Sequence, residues 1–160
     1  MSEPTVVLGR SSQLVEETNT TACHQDEVPI LRRCSGGAAI VAGPGGFMYS
    51  LVLSCELRPQ LRMIDQAHQF VRGRIIAALQ SLDVTAAPAG TSDLAWKNKK
   101  FSGNSLRSKR THLLYHGTLL YDFPLPLVSK YLASPPRQPE YRQGRNHDGF
   151  LTNVPVSRVA

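Results

Sequence analysis

Three stretches of this chain carry side chains able to do chemistry. RRCSGGAAIV, residues 32–41, sets two arginines ahead of a serine and two glycines. Backbone N–H groups in such a turn can form an anion-binding concavity, glycine lets a phosphate come close, and Arg33 adds a forked, permanently charged donor. The stretch is a candidate phosphate cradle, although two adjacent glycines between strands also mark a plain hairpin. It is neither a P-loop nor a dinucleotide fingerprint, because no GK[ST] and no third spaced glycine opens a helix. KFSGNSLR, residues 100–107, puts a lysine on a glycine-containing strand. An ammonium aimed at an activated carboxyl or phosphate stabilises the charge that builds on those oxygens, a contribution of about 3 kcal/mol or more. Because Lys97, Lys99 and Lys100 cluster, most of them are expected to be ordinary solvated side chains. HGTLLYD, residues 116–122, places His116 before a glycine and an apolar run. A lone histidine is by default a core or surface residue, and spacing assigns it no Asp or Cys partner.

The elements that must position these residues follow from periodicity. Residues 6–8 read as a strand closed by Gly9, followed by a polar segment with helix-compatible spacing around Leu14, Val15 and Cys23. Residues 28–31, 38–41 and 47–53 read as three strands separated by Gly36-Gly37 and by Gly43-Pro44-Gly45-Gly46, an alternation of strand and glycine turn. From 63 to 82 apolar residues recur with a period near 3.6, which predicts an amphipathic helix packed on a sheet. Its polar positions Asp65, Gln66, Gln69 and Arg72 fall on the other face, and Pro59 precedes its start. After Pro88-Ala89-Gly90 come strand candidates at 94–96, 100–106 and 113–121. The internal Gly103 marks a bulge or the close approach of a ligand. A short helix at 127–132, a surface loop rich in Pro, Arg and Gln at 134–145, and an apolar stretch at 150–154 complete the chain, with no internal repeat.

Composition bounds the class. At 160 residues one domain is expected, and 41% hydrophobic with 19% charged residues excludes disorder as the main state. No apolar run approaches the roughly 18 residues that cross a bilayer, and Glu3 and Arg10 interrupt any secretory h-region, so the reading is a cytoplasmic protein. The formal charge of +6 attracts an anionic partner without naming it. The basic run from Lys97 through Arg110 lacks an obvious aromatic stacking platform, so nucleic acid is not the expected partner. Cys23, Cys34 and Cys55 show no CxxC and no His at finger spacing, which indicates neither disulfides nor a zinc site; Cys34 and Cys55 read as buried structural thiols.

Taken in order, RRCSGG at 32–37, SDL at 92–94, KFSGNSLR at 100–107, HGTLLYD at 116–122 and TNV at 152–154 resemble the spaced motifs of the lipoate-protein ligase A family, in the biotin/lipoate ligase superfamily. The resemblance covers the chain from VVLGR at 6–10 onward. It implies an α/β (α+β-like) fold, with a mixed, mostly antiparallel central sheet and packed helices. It also implies that residues 1–160 are a single, partial catalytic domain, without the family's N-terminal elements and C-terminal accessory domain. The implied chemistry activates lipoate, octanoate or a similar short acid with ATP and magnesium as acyl-AMP, then passes the acyl group to a lysine of a lipoyl-domain protein. By position, Lys100 matches the family's catalytic lysine, and Arg33 with Ser35, Gly36, Gly37, Ala38, Ala39, Ile40 and Val41 matches the phosphate- and acyl-binding loop. Asp93 matches the acidic residue beside the nucleotide and is the candidate magnesium ligand, while Gly103, His116, Gly117 and Thr118 match segments lining the site. Ala38 stands where a third glycine is usual, Ser92 where asparagine precedes the aspartate, and Gly46 where asparagine follows the glycine turn. The superfamily also resembles octanoyl and lipoyl transferases that work through a cysteine thioester without ATP, but Arg145 and Asn146 occupy the neighbourhood of that nucleophile. A degenerate relative that binds an acyl group or adenylate without turnover is the third reading.

Overall fold

A computed structural model gives the structure of residues 2–136 and 138–156. The run of Val6, Val7 and Leu8 is buried on both faces, which suits a strand with partners on both edges. Strand β1 (Thr5–Leu8) accordingly sits between β2 (Ile30–Arg32), parallel to it, and β3 (Ile40–Ala42), antiparallel to it. Strands β2 and β3 therefore never pair, and the glycine segment between them is not a hairpin as its two glycines suggested. It is a crossover loop that must pass β1 to reach the opposite edge of the small sheet. Helices α1 (Leu14–Glu17) and α2 (Thr20–Gln25) fill the connection between β1 and β2.

The second glycine turn carries the chain into another sheet. Gly45 adopts φ +82°, and a Cβ there would lie 2.0 Å from the Asp122 carbonyl oxygen, so only glycine fits. Strand β4 (Gly46–Ser54) is then one edge of a five-stranded antiparallel sheet, ordered β4-β8-β7-β6-β5. Its other members are β5 (Ala87–Ala89), β6 (Asp93–Trp96), β7 (Lys99–Ser108) and β8 (His112–Leu120). The mostly antiparallel α+β architecture is thus found, divided between two sheets.

Helix α3 (Ile64–Gln80) covers one face of the large sheet, burying Ala67 and Val71 against Leu61, Leu113 and Tyr115, and Leu79 against Leu94 and Phe101. Arg72, expected on the solvent face, is buried instead. Its guanidinium donates to the Gly90 and Asp93 carbonyls at 3.3 and 3.4 Å, bracing the turn that leads into β6. The opposite face of the sheet is set by strand alternation. Gly103 and Ser105 of β7 stand in register with Thr118 and His116 of β8, turned away from α3 and toward the crossover loop.

Regular alternation would send Lys100 and Gly103 to opposite faces. The register of β6 against β7 shifts between Leu94, opposite Ser102, and Ala95, opposite Lys100, leaving Phe101 as the extra residue of a β-bulge. Phe101 enters the α3 core, and Lys100 turns to the same side as Gly103. The remaining chain closes that side. Helix α4 (Pro126–Tyr131) packs Val128 and Tyr131 with Val6, Cys23, Val41 and Phe123. The segment read as a surface loop contains a buried side chain, Arg142, on a short 3-10 turn before α5 (His147–Phe150). Beyond α5, Leu151 bridges to Lys100, and the Thr152 N–H donates to the Lys100 carbonyl at 2.9 Å. All three cysteines are free; Cys23 and Cys55 are buried, but Cys34 is exposed, because the crossover loop turns it outward.

Candidate functional site

The crossover loop is held by side chains rather than by strand pairing. Arg33 donates from Nε and Nη2 to the Gly36 carbonyl, from Nη2 to Ala38 at 2.9 Å and from Nη1 to Val7 at 3.0 Å. Four of the five N–H groups of a guanidinium are thereby spent on backbone, so Arg33 is first a brace of the loop and has one donor left among the described residues. Burial pushes its pKa down, opposed by the charge of Glu17. Gly9 lets the loop pass close, since a Cβ there would lie 1.8 Å from the Gly37 carbonyl oxygen. The buried Glu17 carboxylate accepts from the Ala39 N–H at 2.7 Å and from Ser12 Oγ at 3.0 Å. From the large sheet, Ser105 Oγ donates to the Gly36 carbonyl at 3.0 Å and Arg107 to the Cys34 carbonyl at 3.0 Å.

Opposite this loop stands a charged pair. Lys100 Nζ lies 2.9 Å from Asp93 Oδ1, the lysine side chain 28% and the aspartate side chain 10% exposed. The other carboxylate oxygen, Oδ2, accepts from the Tyr141 hydroxyl at 2.7 Å. Burial and then the Asp93 charge push the Tyr141 phenol well above its ordinary pKa, so it remains a donor. Gly103 lies beneath the pair: a Cβ there would meet Lys100 Cε and Nζ at 3.0 Å. The glycine inside the strand therefore does mark a close approach, by the lysine of its own motif.

The two sides enclose a cavity of about 300 Å³, lined from the loop by Arg33 and residues 37–40, and from the sheet by Asp93, Lys100, Gly103 and residues 116–118. A smaller cavity of about 120 Å³ adjoins it, sharing Ala38, Ala39, Ile40, Lys100, Gly103 and Thr118 and extending toward Val41, Phe150 and Arg142. The residues singled out in the sequence thus come together with three exceptions. Ser35 and Gly36 line neither cavity, and Val41 lines only the smaller. Ser35 is buried with its hydroxyl in a short hydrogen bond to His116 Nε2, tying the loop to β8. Burial, then the charge of Arg33, lowers the His116 pKa, which leaves the imidazole neutral at pH 7.

Asp93 spends one oxygen on an ammonium and the other on a phenol, and among the described residues no group of three carboxylate, His or Cys side chains gathers to hold a metal. The residues present do not build a protein-held magnesium site. Sequence reasoning missed Tyr141 and Arg142, which lie in the stretch 134–145 whose Pro, Arg and Gln content reads as loop, His147 just beyond it, and Tyr49 and Asn104, whose side chains hydrogen-bond to each other. Only the structure shows why a glycine stands beside that pair: a Cβ at Gly117 would meet Asn104 Oδ1 at 1.9 Å and the Tyr49 hydroxyl at 2.9 Å. No helix among the described residues is long and apolar enough to cross a membrane.

Comparison with known proteins agrees with this architecture. The solved structure of a bi-partite lipoate protein ligase from Thermoplasma acidophilum, described with its E2 lipoyl domain, superposes with a TM-score of 0.82 at 21% identity, covering 98% of this chain and 62% of that one. A lipoate-protein ligase A bound with ATP gives a TM-score of 0.77 at 21% identity over 98% of this chain and 63% of the other. A probable lipoate-protein ligase A of Mycoplasma genitalium is 34% identical over 129 residues, 80% of this chain but only 37% of the relative. The chain therefore spans little more than a third of the length of that relative. Residues 1–154 match the family described as the lipoyl protein ligase A/B catalytic domain, and with the glycine loop and the lysine strand facing one cleft, the chain belongs to that family.

Proposed function

We propose that this chain carries the adenylate-forming site of a lipoate-protein ligase: it activates lipoate, octanoate or a similar short acid with ATP and transfers the acyl group to a lysine of a lipoyl-domain protein. The observation that carries the reading is the Lys100 ammonium, 2.9 Å from Asp93 and facing residues 37–40 of the glycine loop across one cavity. In the first step a carboxylate oxygen of the acid bonds to the α-phosphorus of ATP and the bond to pyrophosphate breaks. In the second the acceptor amine attacks the acyl carbon, AMP leaves, and the amine's proton passes to solvent.

The chain's own residues supply positioning and charge. Negative charge gathers on the carboxyl and α-phosphoryl oxygens in the first step, and a preoriented cation in a partly dry cleft stabilises it without reorganisation at the moment of reaction. Asp93 and Tyr141 fix where the ammonium points. Arg33, through its carbonyl contacts, fixes the loop whose backbone at Gly37 to Ile40 approaches the reactants. The nucleotide phosphates, which commonly carry magnesium with few protein ligands, would bring the ion as their own counter-charge.

Thioester transfer without ATP finds little support: among the described residues no cysteine lines either cavity. The name of the Thermoplasma neighbour, a ligase with its E2 lipoyl domain, supports a lipoyl-domain acceptor, and a cytoplasmic location suits free thiols. Pyrophosphate release on adding octanoate or lipoate with MgATP tests the reading. A non-catalytic relative releases none, and a cysteine-dependent transferase instead carries an acyl mass after incubation with an octanoyl-loaded lipoyl domain.

A further inference from the structure

Behind the charged pair, on the helix side of the large sheet, buried polar side chains converge on one turn. Asn104 of β7 is 8% exposed and, by strand alternation, lies on the face opposite to its neighbours Gly103 and Ser105. Its amide reaches across strands in both directions. Nδ2 donates to the Ser92 carbonyl at 2.6 Å and to Ser102 Oγ at 3.3 Å, and Oδ1 accepts from the Tyr49 hydroxyl. A turned amide would set its oxygen against the Ser92 carbonyl, so the hydrogen bonds fix its orientation. Tyr49, Gly117 and Asn104 form one row across β4, β8 and β7, and the amide can lie over β8 because Gly117 carries no side chain. Tyr49 itself packs among the side chains that α3 buries.

From α3, Arg72 adds its bonds to the Gly90 and Asp93 carbonyls. The carbonyls of residues 90, 92 and 93 are thus all held from the helix side, while the Asp93 carboxylate leaves on the other side and meets Lys100. Burying an amide, a phenol and a guanidinium carries a desolvation cost that apolar side chains of the same volume would avoid. What the polar set supplies instead is direction: a satisfied buried network specifies one arrangement of the turn. Asn104 and Tyr49 also border the larger cavity, but both amide N–H groups and the phenol O–H are already engaged, so neither residue keeps a free donor for a reactant. We propose that Asn104 is a positioning residue of the acyl-activating site: through the Ser92 carbonyl it fixes where Asp93 holds the Lys100 ammonium. Its kinetic consequence rests on the ligase reading; its geometric consequence does not.

The test compares the full chain with its Asn104→Leu and Tyr49→Phe variants by two readouts. Brief acetylation with acetic anhydride, followed by mass spectrometry, reports how firmly Asp93 holds the ammonium. Lys100 labelling is expected to rise about threefold or more in Asn104→Leu, while Lys130, paired with Asp26 at 2.6 Å on α4, is the unchanged control. Pyrophosphate release with octanoate and MgATP is expected to lose about tenfold or more in kcat, with KM for both substrates kept within about threefold. Asp93→Asn already frees the lysine, so adding Asn104→Leu to it should slow the reaction by less than about twofold. Tyr49→Phe leaves the amide with one partner fewer; it is expected to move both readouts the same way by about threefold, and carries the test if the leucine variant does not fold. Unchanged Lys100 labelling or unchanged kcat in a folded variant, a loss confined to KM, or losses that multiply in the double variant overturn the proposal. If Lys100 labelling responds but the unsubstituted chain releases no pyrophosphate, the ligase reading fails and the positioning role of Asn104 stands.

Discussion

Lys100 Nζ and Asp93 Oδ1 stand 2.9 Å apart over the bare backbone of Gly103. The arrangement depends on the bulge at Phe101, which turns Lys100 onto the face that its motif glycine occupies. Lysine, glycine and aspartate therefore act as one unit, and each can be disturbed separately.

Gly103→Ala disturbs it by volume. The new methyl lies 3.0 Å from Lys100 Cε and Nζ, the end of a flexible side chain, so the lysine moves aside and the fold survives. Adenylate formation is expected to fall about tenfold or more, since displacing a positioned group by about 1 Å costs on that order. The melting temperature should change little. Full activity in Gly103→Ala removes the close approach from the account.

Tyr141→Phe removes the hydroxyl that supports Asp93 Oδ2 while keeping the ring against Phe150. Losing a hydrogen bond to a nearly buried carboxylate costs about 1.5–3 kcal/mol. The expected result in thermal unfolding is a lower melting temperature, and in kinetics a lower kcat; a variant identical to the unsubstituted chain in both contradicts a support role.

Gly9→Ala acts on the fold instead. Its Cβ would lie 1.8 Å from a backbone oxygen, where nothing flexible can yield. Overpacking of this kind costs about 1–3 kcal/mol, so denaturant unfolding should show a clear loss. An unaffected midpoint would mean that the crossover loop does not press on β1.

These contrasts show what the sequence discloses. Periodicity located α3, β7 and β8 to within about two residues, because one buried face writes its pattern into the chain. It did not disclose that β2 and β3 flank β1, since pairing with a third strand is decided by segments far away. Arg72 and Arg142 read as solvent-facing by residue type; Arg72 is buried because carbonyls about twenty residues on close over it, and Arg142 because the Phe150 ring of the next short helix and the Arg145 carbonyl cover it. Lys100, Asp93 and the glycine loop were legible through their motifs and share one cavity, whereas Tyr141 stood in a segment without pattern. Arg33 reads from its motif as a forked, charged anion donor; the structure shows four of its five N–H groups on backbone carbonyls, three of them in its own loop and one on Val7.

Stability should depend on pH through three histidines. Burial lowers the folded-state pKa of His68, His116 and His147 below the ordinary 6.5. The unfolded chain then takes up protons first as pH falls below about 6.5, so their contribution, complete at higher pH, is lost on acidification toward the folded values. The melting temperature should be higher at pH 7.5 than at pH 5.5, with a shallower slope in His116→Gln. A flat profile contradicts this assignment.

The most direct measurement compares the chain with its Lys100→Ala variant for pyrophosphate release, and for acyl-AMP by mass spectrometry, with octanoate or lipoate and MgATP. The account predicts acyl-AMP from the unsubstituted chain and a loss of about 100-fold or more in the variant, with folding intact. Equal adenylate formation by the two would contradict it.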